Sequence, residues 1–91
     1  MSRESVSVQM SIEFIQIEAQ TGLILTTMAR IACEHDVFNH GRIWQNAQYS
    51  YDRAYRRFAG VGAGLLPSEQ YGNLCQQLAS LERALQDRCQ H

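Results

Sequence analysis

The sequence contains no lysine, a single proline and no apolar run long enough to cross a membrane. The longest uncharged run in the apolar first half, 19–29, is far shorter than the roughly 18 residues that a spanning helix needs. Glu4 and Glu13 interrupt the stretch that a signal or transit peptide would require. The sequence therefore predicts a cytoplasmic protein with no membrane partner.

An excess of either charge is also missing, since eight basic residues face nine acidic ones for a net charge of -1. This balance gives no global field for nucleic acid, so nucleic acid is not an expected partner. The 91 residues predict one domain over 1–91. A chain of this length buries only about 60 to 65% of its unfolded surface, which favours support from a partner subunit.

The three cysteines lack a CxxC or any other close spacing. They are Cys33, Cys75 and Cys89. An odd number cannot pair completely within one chain, and the pattern predicts reduced thiols in a cytoplasmic protein. Neither the cysteines nor the three histidines stand in a context typical of a catalytic nucleophile. We expect no enzymatic activity and no cofactor.

Because helix breakers are scarce, the apolar periodicity predicts an all-α, three-helix bundle. The predicted helices cover about 12–34, 42–59 and 68–88. Residues 1–11 are interpreted as an N-terminal arm or an extension of the first helix, and 60–67 as a glycine-rich connector.

The first predicted helix is apolar over an arc of roughly 200°, wider than a simple surface helix needs. Two other helices of such a short chain can hardly cover this arc. We therefore expect self-association, with a homodimer favoured. The residues predicted to lie near the seam or central core are Phe14, Gly22, Leu25 and Ala29.

Glu18 falls in the middle of that apolar arc, where a charge must find a partner or become neutral. Thr21, Tyr51 and Tyr55 carry hydroxyls that are suitable donors, and an arginine is another possible partner. A structural group that sets helix register is one interpretation, and a ligand, proton or metal site is the other.

A second candidate site lies between Cys33 and His40, where Glu34, His35 and Asp36 add further metal-ligand types. No HxxxH, ExxH or CxxC spacing places two of these ligands on one helical face, so no bound metal is predicted. A small-molecule or metal-binding protein that uses Glu18 or this cluster stays open as an alternative function.

The second predicted helix carries a local basic face that suits an anion. It consists of Arg42, Asn46, Arg53, Arg56 and Arg57. An RNA-binding module is one interpretation of this face. A solvated face with local pairs, such as Asp52 with Arg56 four residues on, is the favoured one.

Residues 46–58 read NAxxSYDxAxxRF, and residues 18–21 read EAQT. With these segments the chain resembles a group of short, uncharacterised bacterial helical-bundle proteins that carry an NAxxAYDxAxRF-type segment after a QAQT-like first helix. The resemblance implies the bundle fold and no activity. The spacing of Ala47, Tyr51 and Ala54 is also similar to helices of tetratricopeptide repeats and of microtubule-interacting and trafficking modules, although no 34-residue repeat recurs. Our principal prediction is a non-enzymatic, self-associating protein-interaction module.

Overall fold

The computed structural model describes residues 3–35, 38, 40–61 and 66–87, with side chains described from Val8 onward. Across these residues the chain forms three α-helices and confirms the predicted all-α three-helix bundle. They are α1 (Arg3–Glu34), α2 (His40–Val61) and α3 (Ser68–Gln86). None of the helices in the described part is long and apolar enough to cross a membrane.

Helix α1 begins nine residues earlier than the predicted start, so residues 3–11 extend the helix and do not form a separate arm. The physical reason is burial, because Ile12 is buried in the core and Val8 packs against the same cluster. At the connector, Gly60 and Val61 still belong to α2. Residues 62–65 of that predicted connector, and the predicted end of α3 at residue 88, lie outside the described residues.

The core consists of two apolar clusters at opposite ends of the bundle. In the first, Ile12 and Ile15 of α1 meet Ala54 of α2 and Leu74 and Leu78 of α3. The early part of α1 thus packs against the late part of α2 and the early part of α3. Neighbouring helices therefore run antiparallel, in an up-down-up arrangement.

The second cluster closes the other end of the bundle around Trp44 of α2. Ala29 of α1, Ala47 of α2, and Leu81 and Leu85 of α3 surround this indole. The buried residues of α3 are four leucines, whose alternating spacing of four and three places them on one face of the helix. The molecule is elongated, with extents of 51 × 19 × 15 Å.

The buried face of α1 is lined largely by small side chains. Ala19, Gly22, Thr26 and Ala29 all lie in the interior. Gly22 is where α3 comes closest, because a Cβ built there would lie 2.5 Å from a methyl carbon of Leu81. Beyond Ile15, small inward residues therefore let the helices approach closely, and the large side chains Ile17, Ile24 and Ile31 lie on another face.

Candidate interaction surface

The outer face of α1 carries a line of large apolar side chains exposed to solvent, which we call the outer stripe. Its members are between 49% and 64% exposed and are Met10, Ile17, Ile24, Met28 and Ile31. Four of them recur every seven residues, the spacing of a helix–helix seam. From Met10 to Ile31 the stripe is roughly 32 Å long at 1.5 Å per residue.

The residues predicted for an interface lie elsewhere. Gly22 and Ala29 are buried within the chain's own bundle, against α3 and Trp44 respectively, and so are not accessible to a second chain. Leu25 is half-buried beside the same Trp44 cluster, and Phe14 is half-buried under two arginines. Of the two predicted placements, the central core therefore holds for Gly22 and Ala29, and the exposed apolar residues lie part of a helical turn away. The wide apolar arc that motivated the predicted seam is present, and its uncovered part is the outer stripe.

One flank of the outer stripe is formed by five side chains that we call the arginine–aromatic cluster. They are Phe14 and Glu18 of α1 and Tyr49, Arg53 and Arg57 of α2.

The Arg53 guanidinium holds this cluster together. Its Nη2 lies 3.5 Å from Oε1 of Glu18. Its Cζ lies 5.4 Å from the ring centroid of Phe14 and 5.5 Å from that of Tyr49. Arg57 lies over the same Phe14 ring at 4.9 Å, within the range of a cation–π contact.

Glu18 is thus held by an arginine, one of the partners that the sequence allowed, and its side chain is 15% exposed. The predicted hydroxyl donors are engaged or placed elsewhere. Thr21 is exposed, and Tyr51 lies near the Glu82 carboxylate of α3. Tyr55 is 53% exposed, so its predicted place on the buried face is wrong, and its ring stacks on Tyr51 at 5.9 Å.

The fold changes the ionisation of the Tyr51 hydroxyl. Burial raises the pKa of Tyr51 above 10.0, and the nearby Glu82 carboxylate raises it further. Both effects disfavour the negatively charged phenolate. At neutral pH the Tyr51 hydroxyl therefore keeps its proton.

The other residues of the predicted anion-binding face are also on the surface. Arg42, Asn46 and Arg56 are exposed on α2. The predicted pair of Asp52 with Arg56 is not among the ion pairs of the described residues, because the Asp52 carboxylate accepts a hydrogen bond from Gln48 at 3.0 Å instead. The basic face is therefore solvated at Arg42 and Arg56 and packed against α1 at Arg53 and Arg57.

The Cys33–His40 cluster is not assembled as a ligand set in the described part of the chain. Cys33 is buried and disulfide-bonded, which corrects the prediction of reduced thiols at this position, whereas Cys75 is free. Asp36 lies outside the described residues. Among the residues the structure does describe, no group of three or more histidine, cysteine, aspartate or glutamate side chains is placed to hold a metal ion.

An open cleft of about 560 Å³ lies between the late parts of α1 and α3. Arg30 and Asp87 border it and form an exposed ion pair at 3.8 Å. Arg83 adds a second cation to the lining. Ser80, Ala84 and Gln86 complete the lining of this open cleft.

Comparison with models of known protein families, with curated proteins and with solved structures finds no match for this chain. The resemblance to short bacterial helical proteins and to tetratricopeptide-like helices therefore stays a prediction.

The outer stripe is the feature that sequence reasoning missed, although the seven-residue recurrence of Met10, Ile17, Ile24 and Ile31 was available as its signal.

Proposed function

We propose that this protein is a non-enzymatic protein-interaction module that self-associates through the outer stripe of α1. The observation that supports the proposal is the exposure of five large apolar side chains along one line of a helix whose inner face already packs against α2 and α3. The apolar arc of roughly 200° on α1 is wider than the 100° or so by which a surface helix contacts the core of its own domain. The exposed side of α1 therefore supports a contact with a second protein chain.

The described residues of α2 and α3 do not cover the stripe, because its members stay exposed beside both helices. A second copy of the chain carries a stripe of the same length and the same seven-residue spacing, and two helices with this spacing stay in contact when they wind slightly around each other.

The energy of such a contact predicts a reversible dimer. Burying the exposed half of an isoleucine or methionine contributes about 1 kcal/mol, so ten such side chains in a dimer contribute on the order of 10 kcal/mol. The loss of translational and rotational freedom on association costs about 4 to 15 kcal/mol. The two terms are of similar size, so the folded monomer and the dimer should interconvert with concentration.

The test is to replace Ile24, at the centre of the stripe, by glutamate and to measure the molar mass by size-exclusion chromatography with light scattering. Ile24 is exposed, so the fold should persist, which circular dichroism checks. Gln76→Glu on the exposed surface of α3 is the matched control for an added carboxylate. We expect dimers for the wild type and the control and monomers for Ile24→Glu. Equal masses for all three chains would refute the proposal.

The two alternative functions, ligand binding at Glu18 and RNA binding by the basic face, are not supported by a comparable observation. In the described part of the chain, Arg53 already occupies the Glu18 carboxylate that a ligand site would use. Two of the arginines that an RNA site would use are packed on Phe14. Disulfides are rare in the cytosol, so the bond at Cys33 weighs against the predicted cytoplasmic location, which stays a prediction.

A further inference from the structure

Two exposed charges beside the outer stripe have no partner of opposite charge within the described chain. The Glu13 carboxylate accepts only a long hydrogen bond of 3.5 Å from Gln9. Arg57 lies over the Phe14 ring but forms no ion pair with any carboxylate that the structure describes, whereas its neighbour Arg53 is taken up by Glu18. These two free charges are opposite in sign.

Glu13 and Arg57 lie on opposite flanks of the stripe and at the same height. At 100° per residue, Phe14 lies about 60° to one side of the centre of the stripe and Glu13 about 40° to the other side. Because Arg57 covers Phe14, it belongs to the first flank. Phe14 and Glu13 are consecutive, so the two charges differ little in position along the helix axis.

The positions of Glu13 and Arg57 distinguish a parallel from an antiparallel pairing of two outer stripes. A two-fold axis parallel to α1 makes the two helices parallel. The Glu13 flank of one copy then faces the Arg57 flank of the other copy, at the same position along the helix axis. A two-fold axis across α1 makes the helices antiparallel and brings like flanks together. In that second arrangement Glu13 meets the neutral region around Thr27, and the two arginine flanks face each other.

We infer that two copies pair with their α1 helices parallel, and that Glu13 of each copy forms an ion pair with Arg57 of the partner subunit. This inference rests on the proposed self-association and adds its geometry. The ion pair forms twice per dimer by symmetry and borders the apolar stripe. It directs the register and the orientation of a contact that apolar side chains alone leave unspecified.

A charge swap tests the ion pair. Glu13→Arg and Arg57→Glu should each weaken self-association about tenfold, because each replaces an attraction by a repulsion. The double variant should return to within about threefold of the wild-type dissociation constant, since it restores both pairs with reversed signs. Arg56→Glu, on the adjacent exposed arginine of α2, is the matched control and should have no effect.

Cysteine cross-linking tests the orientation in a Cys75→Ser background, which removes the free thiol. In a parallel pair, Ile17→Cys and Ile24→Cys should each form a disulfide dimer when oxidised alone. In an antiparallel pair, only a mixture of the two variants should cross-link.

The outcomes separate this inference from the proposed function. A wild type that stays monomeric at all concentrations overturns both. A wild type that dimerises while the double charge variant does not recover, or while cross-links form only in the mixture, overturns the parallel ion-paired arrangement and leaves self-association standing.

Discussion

Glu18 has lost most of its contact with water but keeps a cation within reach, because Arg53 of α2 lies across the same part of α1. The Arg53 side chain is still 45% exposed, so water screens the pair. The aromatic rings of Phe14 and Tyr49 restrict the guanidinium from two sides. The pair therefore orients α2 on α1 more than it stabilises the fold.

We expect Glu18→Gln to lower the free energy of unfolding by about 0.5 to 1 kcal/mol, the range for a partly exposed ion pair. A double-mutant cycle with Arg53→Gln, followed by urea denaturation, isolates the coupling between the two side chains. The coupling should shrink in high salt because the pair is accessible to ions. If the double-mutant cycle shows no coupling energy between Glu18 and Arg53 at low salt, the ion pair between them does not form.

The raised pKa of Tyr51 predicts that the folded protein loses stability at alkaline pH. Its pKa in the folded chain is raised above 10.0 by burial and by Glu82, so the unfolded chain loses the phenolic proton at a lower pH than the folded chain does. The contribution of this group is fully present below pH 10 and is lost as the pH rises through the folded pKa. The free energy of unfolding should therefore fall above pH 10, and less steeply in Tyr51→Phe.

Tyr49→Phe is the control for this measurement, since Tyr49 is an exposed tyrosine of the same helix. Its alkaline curve should follow that of the wild type. If Tyr51→Phe gives the same slope as the wild type between pH 9 and pH 11, burial and the Glu82 carboxylate do not raise the pKa of Tyr51 as assigned.

The disulfide at Cys33 is testable by counting thiols. The chain has three cysteines and one disulfide uses two of them, so the denatured, unreduced chain should show one reactive thiol. Reduction should raise the count to three. Three thiols before reduction, in protein purified without a reducing agent, would restore the sequence-based prediction of free cysteines.

At the scale of the helices, Gly22 determines how closely α1 and α3 approach. Leu81 is fully buried, so its side chain has little space to move away from an added methyl group. We expect Gly22→Ala to lower the free energy of unfolding by about 1 to 3 kcal/mol through overpacking.

Gly72 of α3 provides the contrast for this substitution, because nothing lies within 4 Å of a Cβ added there. Gly72→Ala should raise stability by about 0.4 to 1 kcal/mol through helix propensity and a less flexible unfolded chain. Thermal or urea denaturation measures both variants. A stabilising Gly22→Ala would show that α1 and α3 are further apart than the structure has them.

The helices were predictable because their signals are local. The leucine spacing of α3 and the alternating faces of α2 follow directly from 3.6-residue periodicity. The start of α1 was not predictable in this way, since Val8 and Ile12 become helical by packing against residues far along the chain. Periodicity likewise detects the wide apolar arc of α1 but does not say which part of it α2 and α3 cover.

The same limit applies to the candidate site. The sequence placed Glu18 next to the core and allowed an arginine as its partner, but the choice of Arg53 depends on the register between α1 and α2. The seven-residue recurrence of the outer stripe is visible in the sequence, but its exposure follows only from the inward orientation of the small residues Ala19, Gly22 and Ala29. A contiguous line of large exposed apolar side chains is unusual on a monomeric bundle.

For the whole molecule, the central claim is that the outer stripe of α1 is covered by a second copy of the chain. Sedimentation equilibrium of the unmodified protein over a concentration range from below 1 to above 100 micromolar tests it most directly. We predict a mass that rises with concentration from 10.4 kDa towards twice that value and that fits a single dissociation constant. A mass that stays at 10.4 kDa throughout would contradict it.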